Sequence, residues 1–315
     1  MKLIIQIPCF NEAEYLPVTL KELPREVPGF SCVEWLVIND GSTDDTVEVA
    51  KKCGVDHIVN FTNNQGLART FLAGLDSCIK LGADVIVNTD ADNQYSAADI
   101  PSLVAPILAG KADIVVGIRP IDKIETFSFM KKVLQKLGSA VVRFVSKTGI
   151  SDAPSGFRAI SREAALRINV FNDYTYTLET IIQAGQKNIA ITSVPVGVNG
   201  ELRPSRLVKS IPSYIRKSVV TIVRIFVVYK AFRFFMSVGI FVFSLGFLGG
   251  ARYLYYLISG SGSGHVQSLI LSSILLGIGF QTMLTAFLAD LLAVNRRLME
   301  DVQYRVKKLN YSDKE

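Results

Sequence analysis

Two long apolar segments near the end of the chain restrict what it can fold into more than any other feature. Residues 234–258 contain one charged side chain, Arg252, and residues 268–289 contain none. Each segment exceeds the ~20 residues that a helix needs to cross the hydrocarbon core of a bilayer. A short uncharged loop joins them. We therefore predict a transmembrane hairpin over residues 232–292, with helices at about 232–258 and 267–292.

The charges that flank this hairpin indicate its orientation. Arg233 lies at its start, just before the first apolar run, and five basic residues follow the hairpin: Arg296, Arg297, Arg305, Lys307 and Lys308. Because basic residues are enriched on the cytoplasmic side, both ends are expected there. The start of the chain has no signal-peptide pattern. We thus expect a multi-pass protein of the inner (cytoplasmic) membrane, with a cytoplasmic N-terminal domain and a cytoplasmic C-terminal helix or tail over residues 293–315.

Residues 207–231, just before the hairpin, have an amphipathic pattern. Ile211, Ile215 and Val219 recur at helical spacing, and Arg216 and Lys217 fall on the opposite side of the helical wheel. A basic amphipathic helix of this kind lies in the headgroup layer of a membrane. A helix packed on the soluble domain would have the same pattern, and both interpretations stay open.

The apolar excess of the chain lies after Ser218, so residues 1–206 are interpreted as a soluble domain. Strand and helix patterns alternate along it, which predicts an α/β fold with a Rossmann-like, mostly parallel sheet and helices on both faces. It contains no dinucleotide-binding or P-loop glycine motif. The net charge of +6 admits phosphorylated substrates, an anionic membrane or nucleic acid. Its clustering beside the apolar segments argues against nucleic acid.

One strand end carries the strongest chemical signal. An apolar run at residues 83–87 predicts a buried parallel strand, and Asp90, Asp92 and Gln94 follow it. Ligands of open α/β sheets bind outside the carboxyl ends of strands. Oxygen donors suit Mg²⁺ or Mn²⁺, which keeps part of its coordination for water and substrate phosphates. The pattern favours a metal–diphosphate site at these three residues, although a simple polar turn has the same composition.

Two other loops follow predicted strands on the same edge. Asn11 and Glu12 can hydrogen-bond ribose hydroxyls, and Asp40 can accept a hydrogen bond from a base edge. The same residues also suit helix caps and first turns. Three acidic loops on one edge repel one another unless a cation joins them. It is this joint arrangement that favours a nucleotide-and-metal site.

Basic residues follow the acidic loops. Arg119, at the end of the fifth predicted strand, could clamp a phosphate bidentately. Lys132 is one of several lysines that could instead form a solvated helix face. Ser155 and Arg158 lie in a segment of small residues and can bind an anion. These four residues are the candidates for holding an acceptor phosphate.

Six ordered motifs carry a family resemblance: Ile7-Pro8-Cys9-Phe10-Asn11-Glu12, Asn39-Asp40-Gly41-Ser42, Asn64-Gln65-Gly66, Thr89-Asp90-Ala91-Asp92-Asn93-Gln94, Gly117-Ile118-Arg119 and Ser155-Gly156-Phe157-Arg158. On these, the chain as far as about Arg206 resembles the polyprenyl-phosphate glycosyltransferases of glycosyltransferase family two, the dolichol-phosphate mannose synthase group. The resemblance implies a GT-A fold and Mg²⁺ or Mn²⁺. It also implies inverting transfer of one sugar from a UDP- or GDP-linked donor to undecaprenyl or dolichyl phosphate. The hairpin resembles that of bacterial glucosyl-type members.

The resemblance also implies roles for single residues. The residues implied to bind the nucleotide sugar are Pro8, Phe10, Glu12, Asp40, Asp90, Ala91, Arg203 and Lys209. Asn11 joins them because it can hydrogen-bond a ribose hydroxyl. Asp92 and Gln94 would join the metal site, and Arg119 would serve phosphate or sugar. The late motif Arg203-Pro204-Ser205-Arg206 departs from the family's arginine followed by Gly-x-Ser-Lys. Arg203, Arg206 and Lys209 therefore compete for the diphosphate contact.

The catalytic candidates are Asp92, Arg119 and Glu179. A lipid phosphate is already anionic at neutral pH and needs no general base, so Glu179 stays open between base, sugar ligand and structural residue. A family-two transferase with a sugar or membrane glycan as acceptor would need Glu179 as its base. A membrane-anchored nucleotide-sugar-binding protein without turnover is a further alternative. The sequence leaves the sugar, the nucleotide, the polyprenyl length and a possible homo-oligomer undetermined.

Overall fold

A computed structural model describes residues 1–120, 129–170, 176–200, 220, 224, 227–260 and 262–312. The chain divides into two compact units. The sheet unit comprises Met1–Ser218 and Gln303–Glu315, and the helical unit comprises Val219–Val302. Most of the amphipathic segment predicted at residues 207–231 lies outside the described residues.

One sheet organises the sheet unit. Its described strands are β1 (Lys2–Cys9), β2 (Cys32–Asn39), β3 (His57–Asn60), β4 (Val85–Asn88), β5 (Ile114–Ile118), β6 (Arg158–Ser161) and β7 (Ile191–Pro195). They are ordered β3-β2-β1-β4-β6-β5-β7. Neighbouring strands run parallel except at β6, which is antiparallel to β4 and to β5. The predicted α/β fold with a mostly parallel sheet is confirmed.

The antiparallel strand β6 was not predicted. Its register pairs Arg158 with Asn88 at the end of β4 and with Val116 in β5. Because β6 runs in the opposite direction, its start lies beside the carboxyl ends of its neighbours. The segment 152–157 that precedes it therefore reaches the same edge of the sheet as the loop after β4.

Helices cover both faces of this sheet. The α-helices in the described part of the sheet unit are α1 (Leu16–Glu22), α2 (Thr46–Lys52), α3 (Leu67–Lys80), α4 (Ile100–Leu108), α5 (Phe129–Ser146), α6 (Arg162–Arg167) and α7 (Thr177–Gln186). In β1, Leu3, Ile5 and Ile7 are fully buried and belong to one core cluster with residues of α1 and α4. The alternate residue Gln6 lies against α3, where a Cβ on Gly74 would be 2.4 Å from its side-chain oxygen. The period of two along β1 thus sorts its side chains between the two faces.

The helical unit contains two long helices. They are α8 (Ala231–Ile258) and α9 (Val266–Ser312), and a 3₁₀ turn at Gly262–His265 precedes α9. Both are long and apolar enough to cross a membrane, as the predicted hairpin requires. Close packing between them depends on glycine: a Cβ on Gly239 would be 2.9 Å from the Met283 nitrogen, and one on Gly279 would be 2.5 Å from the Phe243 nitrogen. Small residues let membrane helices approach in this way.

The end of α9 belongs to the sheet unit. The Tyr304 hydroxyl donates to a carboxylate oxygen of Glu163 on α6 at 2.6 Å, and the Lys307 ammonium donates to Asp76 on α3 at 2.9 Å. The Arg167 guanidinium lies 5.1 Å from the centre of the Tyr304 ring. In its described part, the helix predicted at residues 293–315 is the continuation of α9, which runs unbroken to Ser312.

Candidate functional site

The loops after β1 and β2 are tied together by hydrogen bonds. The Asn11 nitrogen donates to the Ser42 hydroxyl at 2.9 Å, and the Asn11 side-chain oxygen accepts from the Thr43 nitrogen at 2.8 Å. The Glu12 nitrogen donates to the Thr46 hydroxyl at 2.9 Å. Asn11 thus fixes one loop against the other, a role that the sequence did not indicate.

Asp40 organises a third loop on this edge. Its two carboxylate oxygens accept from the backbone nitrogens of Gln65 at 2.7 Å and of Gly66 at 3.0 Å, and the residue is 4% exposed. A Cβ on Gly41, which has φ +69°, would lie 2.5 Å from the backbone of Asn63. The motif at residues 64–66 is therefore held against Asp40. Of the other nucleoside candidates, Pro8 is buried and Phe10 is 39% exposed.

The loop after β4 is a tight turn that presents two carboxylates. The Asp92 carboxylate accepts from the Gln94 nitrogen at 3.2 Å, and Asn93 has φ +55°. The carbonyl of the buried Ala91 accepts from the Thr19 hydroxyl at 2.8 Å, which anchors the turn to α1. Asp90, Asp92 and Gln94 are all partly exposed.

The electrostatics of this turn fit a divalent cation. Removal from water, together with the charge of Asp92, raises the pKa of the Asp90 carboxyl from its usual value to about 7, with Arg119 acting in the opposite direction. In the described part of the chain, no group of three or more His, Cys, Asp or Glu side chains could hold an ion alone. Two carboxylates and an amide match an ion that completes its coordination with water and substrate phosphates.

Asp90 lies against a floor built from β4, β6 and α7. The Asn88 amide donates to the Gly156 carbonyl and to the Tyr176 hydroxyl, both at 2.9 Å, and the Tyr176 ring stacks on Phe71 at 3.8 Å between centroids. A Cβ on Gly156 would lie 3.0 and 3.1 Å from the two Asp90 oxygens. A side chain at this position would therefore push Asp90 aside by a few tenths of an ångström. The pattern of small residues at 153–156 was the sequence signal for such a close approach, but its partner was not foreseen.

Arg119 is paired with a residue that sequence reasoning missed. Its Nε and Nη2 donate to the two oxygens of Asp152 at 2.8 and 3.0 Å, and Asp152 is fully buried. The bidentate clamp expected of Arg119 for a phosphate is thus made with Asp152. The remaining nitrogen, Nη1, is 3.5 Å from the Gln94 side-chain oxygen.

The anion-binding role predicted for Arg158 is corrected by its burial. Its side chain is fully buried and donates to the carbonyls of Ser155 and Ala153, each at 2.9 Å, and to the Thr180 hydroxyl. Burial and these bonds commit the guanidinium to holding the segment before β6 in place. Ser155 is also fully buried, and its hydroxyl oxygen has no hydrogen-bond partner among the described residues.

The remaining candidate residues lie on helices or outside the described residues. Glu179 lies in the first turn of α7 and is 7% exposed. Lys132 lies on α5, but its side chain is outside the described part of the structure. Arg203, Arg206 and Lys209 lie outside the described residues as well.

Comparison with known families identifies the sheet that carries this site. Residues 4–168, more than half of the chain, match the model of glycosyl transferase family 2. The chain belongs to glycosyl transferase family 2. The match spans β1 to β6 and includes the loops that carry Asp40, Asp90, Asp92 and Arg119, whereas Glu179 and the basic residues near position 206 lie beyond it.

Two relatives of this glycosyltransferase are named for polyprenyl acceptors. The polyprenol monophosphomannose synthase of Mycolicibacterium smegmatis is 28% identical over 204 residues, which are 61% of this chain and 76% of the relative. The undecaprenyl-phosphate mannosyltransferase of Micrococcus luteus is 27% identical over 218 residues, which are 66% of this chain and 88% of the relative. These similarities confirm the resemblance found from the motifs.

The fold also matches solved glycosyltransferases. Glucosyl-3-phosphoglycerate synthase from Mycobacterium tuberculosis, solved with Mn²⁺, UDP and glucosyl-3-phosphoglycerate, has a TM-score of 0.55 at 17% identity. The match covers 72% of this chain and 78% of that chain. At this identity the likeness concerns the fold alone, and it confirms the predicted GT-A-like architecture.

Proposed function

We propose that this glycosyltransferase moves one sugar from a nucleoside diphosphate sugar to a polyprenyl phosphate at the cytoplasmic face of a membrane, with the help of Mg²⁺ or Mn²⁺. The observation that carries the proposal is the pair Asp90 and Asp92 at the end of β4, where removal from water, together with the charge of Asp92, raises the pKa of the Asp90 carboxyl to about 7. Two carboxylates in this setting favour a compensating cation. The two membrane-length helices of the same chain supply access to a lipid acceptor.

The loops after β1, β2 and β3 are suited to a nucleoside. Phe10 is 39% exposed on this edge, and the Asp40 carboxylate holds the backbone of the loop at Gln65 and Gly66. Asp90, Asp92 and Gln94 would hold the divalent ion against the donor diphosphate. When bound, that ion would neutralise charge that develops on the leaving nucleoside diphosphate.

Inversion at the anomeric carbon follows from a single displacement. A phosphate oxygen of the lipid forms the new bond to the anomeric carbon while the bond from that carbon to the donor diphosphate breaks. The lipid phosphate is already anionic at neutral pH, so the chain needs to orient it rather than deprotonate it. In this account Glu179 is not a base, and the diphosphate contact falls to Arg203, Arg206 or Lys209.

Two relatives and the charge pattern support this choice of acceptor and location. Both relatives above are named for a polyprenol or its phosphate. Basic residues lie at the outer ends of the hairpin, and such residues favour the cytoplasmic side. We place the sheet unit there, where nucleotide sugars are available.

The test is direct transfer by the full-length protein. We expect detergent-purified enzyme, given UDP- and GDP-linked sugars, Mn²⁺ and undecaprenyl phosphate, to form a glycosylated lipid that mass spectrometry identifies. Asp92→Asn should lose this product, because one carboxylate of the ion site is removed. Release of nucleoside diphosphate with sugar on a glycan instead of the lipid would overturn the proposed acceptor. Absence of any turnover would favour a binding protein.

A further inference from the structure

We propose that Asp152 is a positioning residue for the transfer reaction. Its buried carboxylate fixes the Arg119 side chain so that one guanidinium nitrogen faces Gln94. Gln94 lies in the loop at residues 90–94, to which we assign the divalent ion. Asp152 would therefore act on the ion and the donor diphosphate through Arg119, without touching either. The inference rests on the proposed function, since it assigns a divalent ion to that loop.

Among the described residues, the carboxylate of Asp152 accepts four hydrogen bonds. Three come from Arg119: Nε at 2.8 Å, Nη2 at 3.0 Å and the backbone nitrogen at 3.2 Å. The fourth comes from the Gln135 amide on α5 at 3.1 Å. Asp152 is fully buried and Arg119 is 8% exposed. Charge-assisted bidentate pairs of this kind combine strength with a fixed geometry.

This pairing leaves one nitrogen of the Arg119 side chain, Nη1, to face the loop at residues 90–94. Two of its three side-chain nitrogens are committed to Asp152, and Nη1 lies 3.5 Å from the Gln94 side-chain oxygen. The guanidinium carbon is 5.9 Å from the centre of the Tyr95 ring, which limits its movement on another side. Without Asp152, Arg119 would be free to turn away from the loop at residues 90–94 or to pair with its carboxylates.

Stability alone is a weak reason for such a pair. Two buried charges often contribute less to folding than apolar residues of the same size would. The pair also leaves Arg119 with little net charge to attract an anion, because Asp152 compensates it. The pair instead fixes the orientation of the Arg119 side chain. It thereby links the segment before β6 to the turn after β4.

A purely structural role makes a different prediction. Asp152 also accepts from Gln135, and the neighbouring Ala153 nitrogen donates to the Ser139 hydroxyl on α5 at 3.2 Å. If Asp152 served only to hold α5, removing the Gln135 amide would have the same effect as removing the carboxylate. If it acts through Arg119, the two substitutions will differ.

The experiment is a double-mutant cycle on ion binding. Full-length protein in detergent is titrated calorimetrically with Mn²⁺, alone and with UDP or GDP present, for wild type, Asp152→Asn, Arg119→Gln and the double variant. We expect each single variant to weaken Mn²⁺ binding by about 10-fold or more, the size typical of residues that orient metal ligands. We expect the double variant to be no weaker than the weaker single variant, because both act through one group.

Three further variants separate positioning from folding. Arg119→Lys keeps the buried charge pair but cannot reach both Asp152 and Gln94, so it should fold and still lose about 10-fold in Mn²⁺ affinity. Gln135→Leu and Asp113→Asn should stay within about twofold of wild type. Asp113 is a matched carboxylate of the same sheet, and accepts from the Ser161 hydroxyl at 3.1 Å. If Asp152→Asn does not fold, the Mn²⁺ affinity of Arg119→Lys still tests the proposal.

Several outcomes would overturn the inference. They are unchanged Mn²⁺ affinity in Arg119→Lys, losses that multiply in the double variant, an equal loss in Gln135→Leu, and no Mn²⁺ binding to wild type. The proposed function can fail separately. A wild-type enzyme that binds Mn²⁺ with UDP or GDP but glycosylates no polyprenyl phosphate refutes the acceptor, while the binding cycle still decides the role of Asp152.

Discussion

Among single residues of the candidate site, Gly156 lies against the side chain of Asp90. A side chain there would meet both oxygens of Asp90 and, at 3.1 Å, the Tyr176 hydroxyl. Tyr176 cannot retreat easily, because its ring stacks on Phe71 and its hydroxyl accepts from Asn88. The position of Asp90 is thus set by a residue that has no functional group of its own.

We expect Gly156→Ala to shift Asp90 by a few tenths of an ångström and to lower the rate of sugar transfer by about 10-fold, the size typical of changes that misorient a metal ligand. Initial rates of lipid glycosylation measure this loss. Gly138→Ala on α5 is the control, since nothing lies within 4 Å of its new Cβ, and its rate should match that of wild type. Equal rates for the two variants would contradict the account.

The raised pKa of Asp90 predicts a pH dependence of ion binding. Its carboxyl titrates near pH 7 in the ion-free fold, so a proton competes with the cation below that pH. Mn²⁺ affinity should therefore rise by about tenfold per pH unit up to about pH 7 and level off above it, with release of a proton on binding. Calorimetry in buffers of different ionisation enthalpy measures both quantities.

The same pKa shift makes the ion-free fold less stable as pH rises from ~4 to ~7, because the folded state holds the proton more tightly than the unfolded state does. A flat affinity across this range would show that Asp90 does not hold the ion.

Glu179 distinguishes the two acceptor classes. With a lipid phosphate as acceptor, no proton must be removed, so Glu179→Gln should keep measurable turnover and lose about tenfold at most. A hydroxyl acceptor would depend on the carboxylate as its base, a contribution of ~10²–10⁴-fold. Comparing kcat for the two proteins with undecaprenyl phosphate decides between them.

At the scale of elements, β4 was predictable from the sequence and β6, a strand of the same length, was not. The run at residues 83–87 is apolar throughout, and a buried parallel strand has that composition. By contrast, Arg158–Ser161 is a four-residue strand that begins with a fully buried arginine. No local pattern marks it, because its existence depends on the carbonyls and the Thr180 hydroxyl that accept from Arg158. For the same reason the sequence identified Arg119 but not its partner Asp152.

The end of α9 offers a test at the same scale. Tyr304→Phe removes the hydrogen bond to Glu163, which is only partly buried, and should destabilise the sheet unit by about 1 kcal/mol. For a unit of this size that corresponds to a fall in Tm of about 2–4 °C, measured by thermal unfolding of the full-length protein. Tyr255→Phe is the control, since Tyr255 is 68% exposed on α8. An equal Tm for both variants would mean that the Tyr304–Glu163 bond does not contribute.

At the scale of the whole molecule, one chain combines a family 2 domain with two membrane-length helices. This combination was evident from the sequence, since hydropathy marks the helices and ordered motifs mark the domain. The division into units was less evident: the last residues of α9 belong to the sheet unit, which depends on contacts of Tyr304 and Lys307 that no local pattern predicts.

The central claim is that a divalent ion held at Asp90 and Asp92 enables sugar transfer to a lipid phosphate. The most direct measurement is the rate at which full-length enzyme glycosylates undecaprenyl phosphate from a nucleotide sugar, with Mn²⁺ and with excess chelator, for wild type and Asp92→Asn. We predict rapid transfer only for wild type with Mn²⁺, and a loss of about 100-fold or more in the other three conditions. Equal rates in chelator, or an Asp92→Asn enzyme as fast as wild type, would contradict it.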